Sequence, residues 1–159
     1  MTEPLAYHIT WTSYGTWLHG DQRRWVEDGV FEIQSANPEK EAEARQRMKD
    51  APAVLSMEQR AIVAKTIEDH CRIRAWTLHA LNVRSNHVHV VVTADRSPED
   101  VLNQLKAWTS RRLSDQAGLV EKVAVKAGRR RWWTEHGSTK YINDVEYLEN
   151  AIRYVKELQ

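Results

Sequence analysis

Apolar and polar positions change period several times along this chain, and each change marks an element. Tyr7 to Tyr14 (YHITWTSY) alternates and is rich in β-branched and aromatic residues, which predicts a first strand ended by Gly15 and then Gly20-Asp21. Residues 19–55 are polar, hold Pro38 and Pro52, and predict an irregular insertion with a short exposed helix over Pro38–Lys49. Ser56, with Gln59 three residues on, carries a capping-box signature and starts a helix to about His70. Arg72 to Val83 (RIRAWTLHALNV) alternates as strand two. Arg84-Ser85-Asn86 is a tight connection, and strand three runs from Asn86 to Val92 or Thr93, so the two strands form a hairpin. Ser97-Pro98-Glu99-Asp100 places a cap, a proline and two acids at a helix start, and that helix runs to about Gln116, before Gly118. Its apolar stripe is Val101, Leu102, Leu105 and Trp108. Arg130–Thr134 (RRWWT) predicts a short strand four, with a turn at Gly137-Ser138. Asn143 or Asp144 then caps a last helix, about Val145 to Leu158.

The order is strand, helix, strand, strand, helix, strand, then a helix at the C-terminus. It predicts an α+β domain over residues 1–159: a ferredoxin-like split βαβ antiparallel sheet with one added C-terminal helix. Strands one and three should be central. No internal repeat or low-complexity segment interrupts this order.

Composition adjusts the picture in three places. The 159 residues are 42% hydrophobic and 28% charged, which suits a single globular domain. Seven tryptophans against one phenylalanine supply flat area for core packing or for base stacking, and Trp132 or Trp133 is a candidate for the latter. The one cysteine, Cys71, excludes an intramolecular disulfide and a four-cysteine zinc site, and reads as a small buried side chain. No apolar run approaches the roughly 20 residues that span a bilayer, and MTEPLAYHITW lacks the regions of a signal peptide. A cytoplasmic protein without a membrane partner is expected.

Net charge is only +1, but it is uneven. Residues 101–140 hold nine Lys/Arg against three acids, whereas residues 1–100 carry a net −3. Lys106, Arg111, Arg112, Arg129, Arg130 and Arg131 stand in the basic stretch and are candidates for contact with a polyanion.

Chemistry is concentrated in Asn86-His-Val-His89. Alternate side chains of a strand share a face, so His87 and His89 project together with Val88 turned away. Two imidazoles on a rigid strand form half of a metal site, or else a satisfied polar pair on a wet face. On the last helix, Leu148, Ala151, Ile152 and Val155 form the core stripe. Tyr154 lies roughly 110° from the centre of that stripe, at its boundary, with Tyr147 one heptad earlier on nearly the same side.

Five segments carry a family resemblance: YHITWTSYGTWLHGD (Tyr7–Asp21), LHALNVRSNHVHVVV (Leu78–Val92), QLKAWTSRRL (Gln104–Leu113), RRWWTEHGSTKYI (Arg130–Ile142) and AIRYVKELQ (Ala151–Gln159). In order and spacing they resemble the HUH single-tyrosine transposases, and within them the REP-associated tyrosine transposases. The likeness spans nearly the whole chain and implies a DNA nicking and joining enzyme of transposition. By that resemblance His87 and His89 hold a divalent metal, Mg²⁺ or Mn²⁺. Tyr154 attacks single-stranded, hairpin-forming DNA to give a 5′-phosphotyrosyl intermediate and a free 3′-hydroxyl. Many members place a third metal ligand, Gln or Asn, four residues after the tyrosine; here that residue is Leu158. Gln159, one residue further, falls near the sheet-facing stripe and is the candidate third ligand. His8 and His79 on neighbouring strands, and His136 in a loop beside Gly137, are other candidates to ligate the metal or support its ligands, with a structural role expected for each. Relatives include domain-sharing dimers and monomers, so a homodimer stays open.

Two other readings compete. A domesticated relative would bind DNA hairpins without cutting them. A metal hydrolase unrelated to DNA would need an acid/base pair near the histidines, and the sequence shows no clear one.

Overall fold

Strand β1, Ala6–Thr12, alternates in burial as its sequence alternates: Tyr7, Ile9 and Trp11 are buried, while His8, Thr10 and Thr12 are partly open. It lies inside a four-stranded antiparallel sheet of order β4-β5-β1-β6, formed with β4 (Thr77–Val83), β5 (His87–Thr93) and β6 (Ser138–Ile142). This is the ferredoxin-like order, and β1 and β5 are its central strands as expected. Helices α1 (Met57–Ile73), α2 (Pro98–Glu121) and α3 (Val145–Glu157) complete the α+β domain. The structure, a computed structural model, describes residues 3–15, 25–26, 33–34, 38–39, 42, 52–121 and 130–158.

The two faces of the sheet are covered differently. Tyr7, Ile9, Trp11, Val88, Val90 and Val92 meet Val63, Ile67 and Cys71 of α1 and Val101, Leu102, Leu105 and Leu113 of α2. That is the main core. On the opposite face a smaller cluster joins Ala6, Ala80, Val91 and Ile142 to Leu148, Ala151, Ile152 and Val155 of α3. The histidines share this second face, so the added helix lies over the candidate chemistry. Cys71 belongs to the main core, and burial pushes its thiol up to about 11, leaving it an inert apolar side chain.

Four expectations are corrected. Strand four is Ser138–Ile142, which pairs with β1 from Ala6↔Ile142 to Thr10↔Ser138. Arg130–Thr134 contributes only the bridge Ser13↔Trp133. Adjacent Trp132 and Trp133 both turn into the core, which a regular strand cannot do. Their ring N–H groups donate to Ser114 Oγ at 2.9 Å and Thr109 Oγ1 at 3.0 Å of α2. Buried and bonded there, neither ring is free to stack on a base. Secondly, α1 continues through Arg72 and Ile73, which the alternating pattern assigned to strand two. It stops in a Schellman motif, with Ala75 N–H on Arg72 O and Trp76 N–H on Cys71 O. Ala75 occupies the left-handed position (φ 57°), and without the usual glycine no stop signal was visible. Thirdly, α2 runs past Gly118, and its buried stripe passes through Thr109 and Leu113 instead of Trp108. Thr109 can be buried because its hydroxyl donates to Leu105 O at 2.6 Å. Finally, the stretch expected to be irregular contains an antiparallel pairing of β2 (Trp25–Val26) with β3 (Ile33–Gln34). Of the short helix expected over Pro38–Lys49, Pro38, Glu39 and Ala42 are helical and exposed, and its other residues lie outside the described ones.

Gly137 follows its own physical rule. A Cβ there would stand 2.8 Å from Thr10 O and 3.0 Å from a methyl of Leu102. Gly137→Ala should therefore push β6 off β1 and lower stability by about 1–3 kcal/mol, read from urea unfolding midpoints. An unchanged midpoint would show that the strand yields freely.

Candidate active site

Strand β5 delivers both histidines to the α3 side. His89 pairs across the sheet with Thr10 on β1 and Asn82 on β4, and His87 pairs with Thr12. The two imidazoles stand 5.0 Å apart, centroid to centroid, and are nearly perpendicular at 82°. His87 Nδ1 lies 2.6 Å from Asn86 Oδ1, so Nδ1 donates and the lone pair is left on Nε2. His89 Nδ1 lies 3.2 Å from both His8 Nε2 and Thr10 Oγ1. His8, on the neighbouring strand β1, thus belongs to the cluster. His79 bonds Thr93 Oγ1 at 2.7 Å, at the register shift between Leu78 and Ala80. His136 sits in the loop before β6 with φ 67°.

Burial is the largest influence on each of the three clustered histidines. It lowers His89 to about 4, assisted by the neighbouring His87, His8 and Arg84. His87 is lowered by burial and then by Arg84, and His8 by burial and then by Lys140. At neutral pH all three are therefore neutral rings with lone pairs available. A stability consequence follows. The unfolded chain takes up protons near the ordinary value of 6.5, whereas folded His89 refuses them until about 4. The stability held by these neutral rings is complete above about 6.5 and is lost as pH falls toward 4. In chelator, the thermal midpoint of the wild type should drop over that window more steeply than that of His89→Asn. Parallel curves would contradict the depressed value.

Helix α3 brings the phenol. Asp144 caps it by accepting from the Tyr147 N–H at 2.7 Å, and its apolar stripe docks on the sheet. Tyr154, next to fully buried Val155, places its ring 6.0 Å from His89 and 6.2 Å from His8 while remaining 55% exposed. Among the described residues Tyr147 makes no ring contact with these histidines. One chain thus assembles His87, His89 and Tyr154 on one face.

Two neutral imidazoles on a rigid strand suit the protein's share of a divalent-metal site, His87 offering the lone pair of Nε2. Among the described residues no group of three or more His, Cys, Asp or Glu is arranged to hold a metal ion. Gln159, the expected third ligand, lies outside the described residues.

The basic candidates are placed elsewhere. Helix α2 packs on the sheet face opposite the histidines. Arg111 and Arg112 are exposed on α2, with Arg111 stacked on Trp108 at 4.8 Å. Arg130 lies 4.7 Å over the Trp132 ring and donates to Pro52 O, and Arg131 stands 3.9 Å from Glu135. Lys106 is half-buried and donates to Thr134 O at 2.7 Å and His136 O at 2.9 Å, which ties α2 to the loop before β6. Arg129 lies outside the described residues.

The ferredoxin-like sheet thus carries the two imidazoles on the face covered by α3, the helix that bears the exposed Tyr154. The family model for IS200-like transposases matches residues 46–158, and the chain belongs to that family. The match leaves out β1 and with it His8. A solved structure of a transposase candidate from Deinococcus radiodurans R1 is similar at a TM-score of 0.48 and 16% identity, over 98% of this chain and 92% of that one. No curated protein matches the chain. No described helix is long and apolar enough to cross a membrane.

Proposed function

We propose that this transposase is a metal-dependent single-stranded DNA endonuclease and strand transferase, with Tyr154 as nucleophile and His87 and His89 as metal ligands. The observation that carries this reading is the Tyr154 ring 6.0 Å from His89 within one chain. When bound, Mg²⁺ or Mn²⁺ would polarise the scissile phosphate and lower the charge barrier to attack. The remaining steps belong to the chain and the DNA. The Tyr154 oxygen loses its proton and bonds to phosphorus, and the bond to the 3′-oxygen breaks. That oxygen leaves as a hydroxyl after taking up a proton. The 5′-phosphotyrosine keeps the phosphodiester's free energy, so a second 3′-hydroxyl can rejoin the strand without another energy source. Tyr154 is free to reach a bulky strand because it is exposed, and the histidines stay fixed because they stand on a central strand.

The test is incubation with single-stranded hairpin DNA and Mn²⁺, followed by denaturing electrophoresis for a covalent adduct. An adduct is the expected result. Hairpin binding with no adduct would instead favour a domesticated DNA-binding relative. Binding of neither DNA nor metal would remove both readings.

DNA contact by Arg111, Arg112, Arg130 and Arg131 is part of the same proposal, because the local positive surplus lies there. Replacing Arg111, Arg112 and Arg130 together with glutamine should lower the salt slope of hairpin binding by about one unit for each phosphate no longer neutralised. An unchanged slope would take this patch out of the interface. Lys106→Ala should behave differently, destabilising the loop before β6 more than it alters the slope, because the ammonium is committed to two carbonyls.

A further inference from the structure

Helix α3 carries the tyrosine, yet its packing gives it little reason to stop at one depth. A helix of 13 residues is marginal by itself, so its placement comes from its contacts. Its apolar partners on the sheet are Ala6, Ala80, Val91 and Ile142, two of which are alanines. Such contacts hold the helix down but resist a slide along its axis only weakly, since they are non-directional.

The directional contact is at the other end. Asn82 Nδ2 donates to Val155 O at 2.9 Å and to Leu158 O at 3.0 Å. Val155 is among the last four residues of α3, whose carbonyls have no donor within the helix, and Leu158 is the residue that follows the last turn. Leu158 leaves the helix in an extended conformation (φ −61°, ψ 127°). A side chain from the sheet holds both carbonyls at this end. Since both partners are acceptors, only the amide nitrogen can face them, and the orientation of the Asn82 amide follows.

The register gives this cap its significance. Asn82 and His89 are direct cross-strand partners on β4 and β5. Val155, one of the gripped residues, directly follows Tyr154. The same rung of the sheet therefore holds the histidine and the helix turn that bears the phenol.

Building on the strand-transfer reading above, we infer that Asn82 is a positioning residue that locks the depth of α3 and thereby sets Tyr154 over His89. Asn82→Asp is the sharpest test. It keeps the shape but turns a donor toward two carbonyls into an acceptor, which must break the grip. Asn82→Ala removes the donor without adding charge and serves if the aspartate variant does not fold.

Two measurements on the full chain separate this inference from the reading it rests on. The first is the nuclear Overhauser contact between the Tyr154 and His89 rings, which needs neither DNA nor metal. It should be present in the wild type and disappear or weaken strongly in the Asn82 variants, with the fold intact. Unchanged ring contacts would overturn the inference whether or not the chain cuts DNA. The second is the single-turnover rate of adduct formation at saturating hairpin DNA. It should fall about tenfold to a hundredfold, the scale of a misplacement near 1 Å, while hairpin affinity stays within about twofold. Leu148→Ala, at the far end of α3, loosens docking without touching the cap and should keep the rate within about threefold. Equal rate losses in the Leu148 and Asn82 variants would reduce Asn82 to a general stabiliser and overturn the inference. A wild type that forms no adduct would defeat the strand-transfer reading, and the ring contacts would still decide whether Asn82 positions the tyrosine.

Discussion

Tyr154→Phe should abolish the covalent protein–DNA adduct while leaving the fold and hairpin affinity in place. The substitution keeps the ring, and hence its edge contacts with His8 and His89. It removes only the oxygen that would attack phosphorus. More than half of the side chain is exposed, so losing the hydroxyl strands no buried partner and the stability change should be within about 0.5 kcal/mol. Tyr147→Phe is the matched control, since it lies two turns away without ring contact to the histidines, and it should retain the adduct. Denaturing gels of both variants with labelled hairpin DNA and Mn²⁺ give the answer. An adduct that survives in Tyr154→Phe and disappears in Tyr147→Phe would place the nucleophile two turns earlier.

His87→Ala and His89→Ala should each lower adduct formation at least a hundredfold and weaken Mn²⁺ binding measured by calorimetry. They should differ in stability. His87 is partly open and bonded to its neighbour Asn86, so its removal should be nearly neutral. His89 is buried against His8 and Thr10, and its removal leaves their polar atoms without that partner, at about 1–3 kcal/mol. Normal cleavage by both variants would show that the pair is only a polar filling of the sheet face. Loss of cleavage with unchanged Mn²⁺ affinity would assign the histidines a role other than ligation.

Position 154 and the histidine pair differ in how they could be read. A two-residue period places His87 and His89 on one face without any tertiary knowledge, because alternation is a property of the strand itself. The ferredoxin-like order and its central strands were legible for a similar reason: element order and short connections leave few topologies. Tyr154 was different. Helical angle put it at the edge of the apolar stripe, and only the resemblance to a family singled it out from Tyr147. Its meeting with His89 depends on how α3 lies across the sheet.

The misreadings have a common cause. RRWWT looked like a strand because both tryptophans are strand formers, but the hydroxyls of Ser114 and Thr109 on α2 offered each ring a buried partner. The actual strand, STKYI, is a polar edge strand with a weak pattern, recognisable only by its pairing with β1. The basic residues were grouped by sequence proximity, whereas α2 carries Arg111 and Arg112 on the face of the sheet away from the histidines. Lys106 proved to be tied to two loop carbonyls.

Local periodicity, caps and spacing by themselves determined the first three strands of the main sheet, the starts of the three helices and the shared face of His87 and His89, since these follow from backbone geometry within a few residues. The tertiary structure alone decided that α3 covers the histidine face, that His8 and Thr10 complete the surroundings of His89, and that Asn82 grips the end of the tyrosine helix. Those contacts join residues 73 to 81 positions apart, and no period along a chain encodes which distant side chain will supply the missing donor.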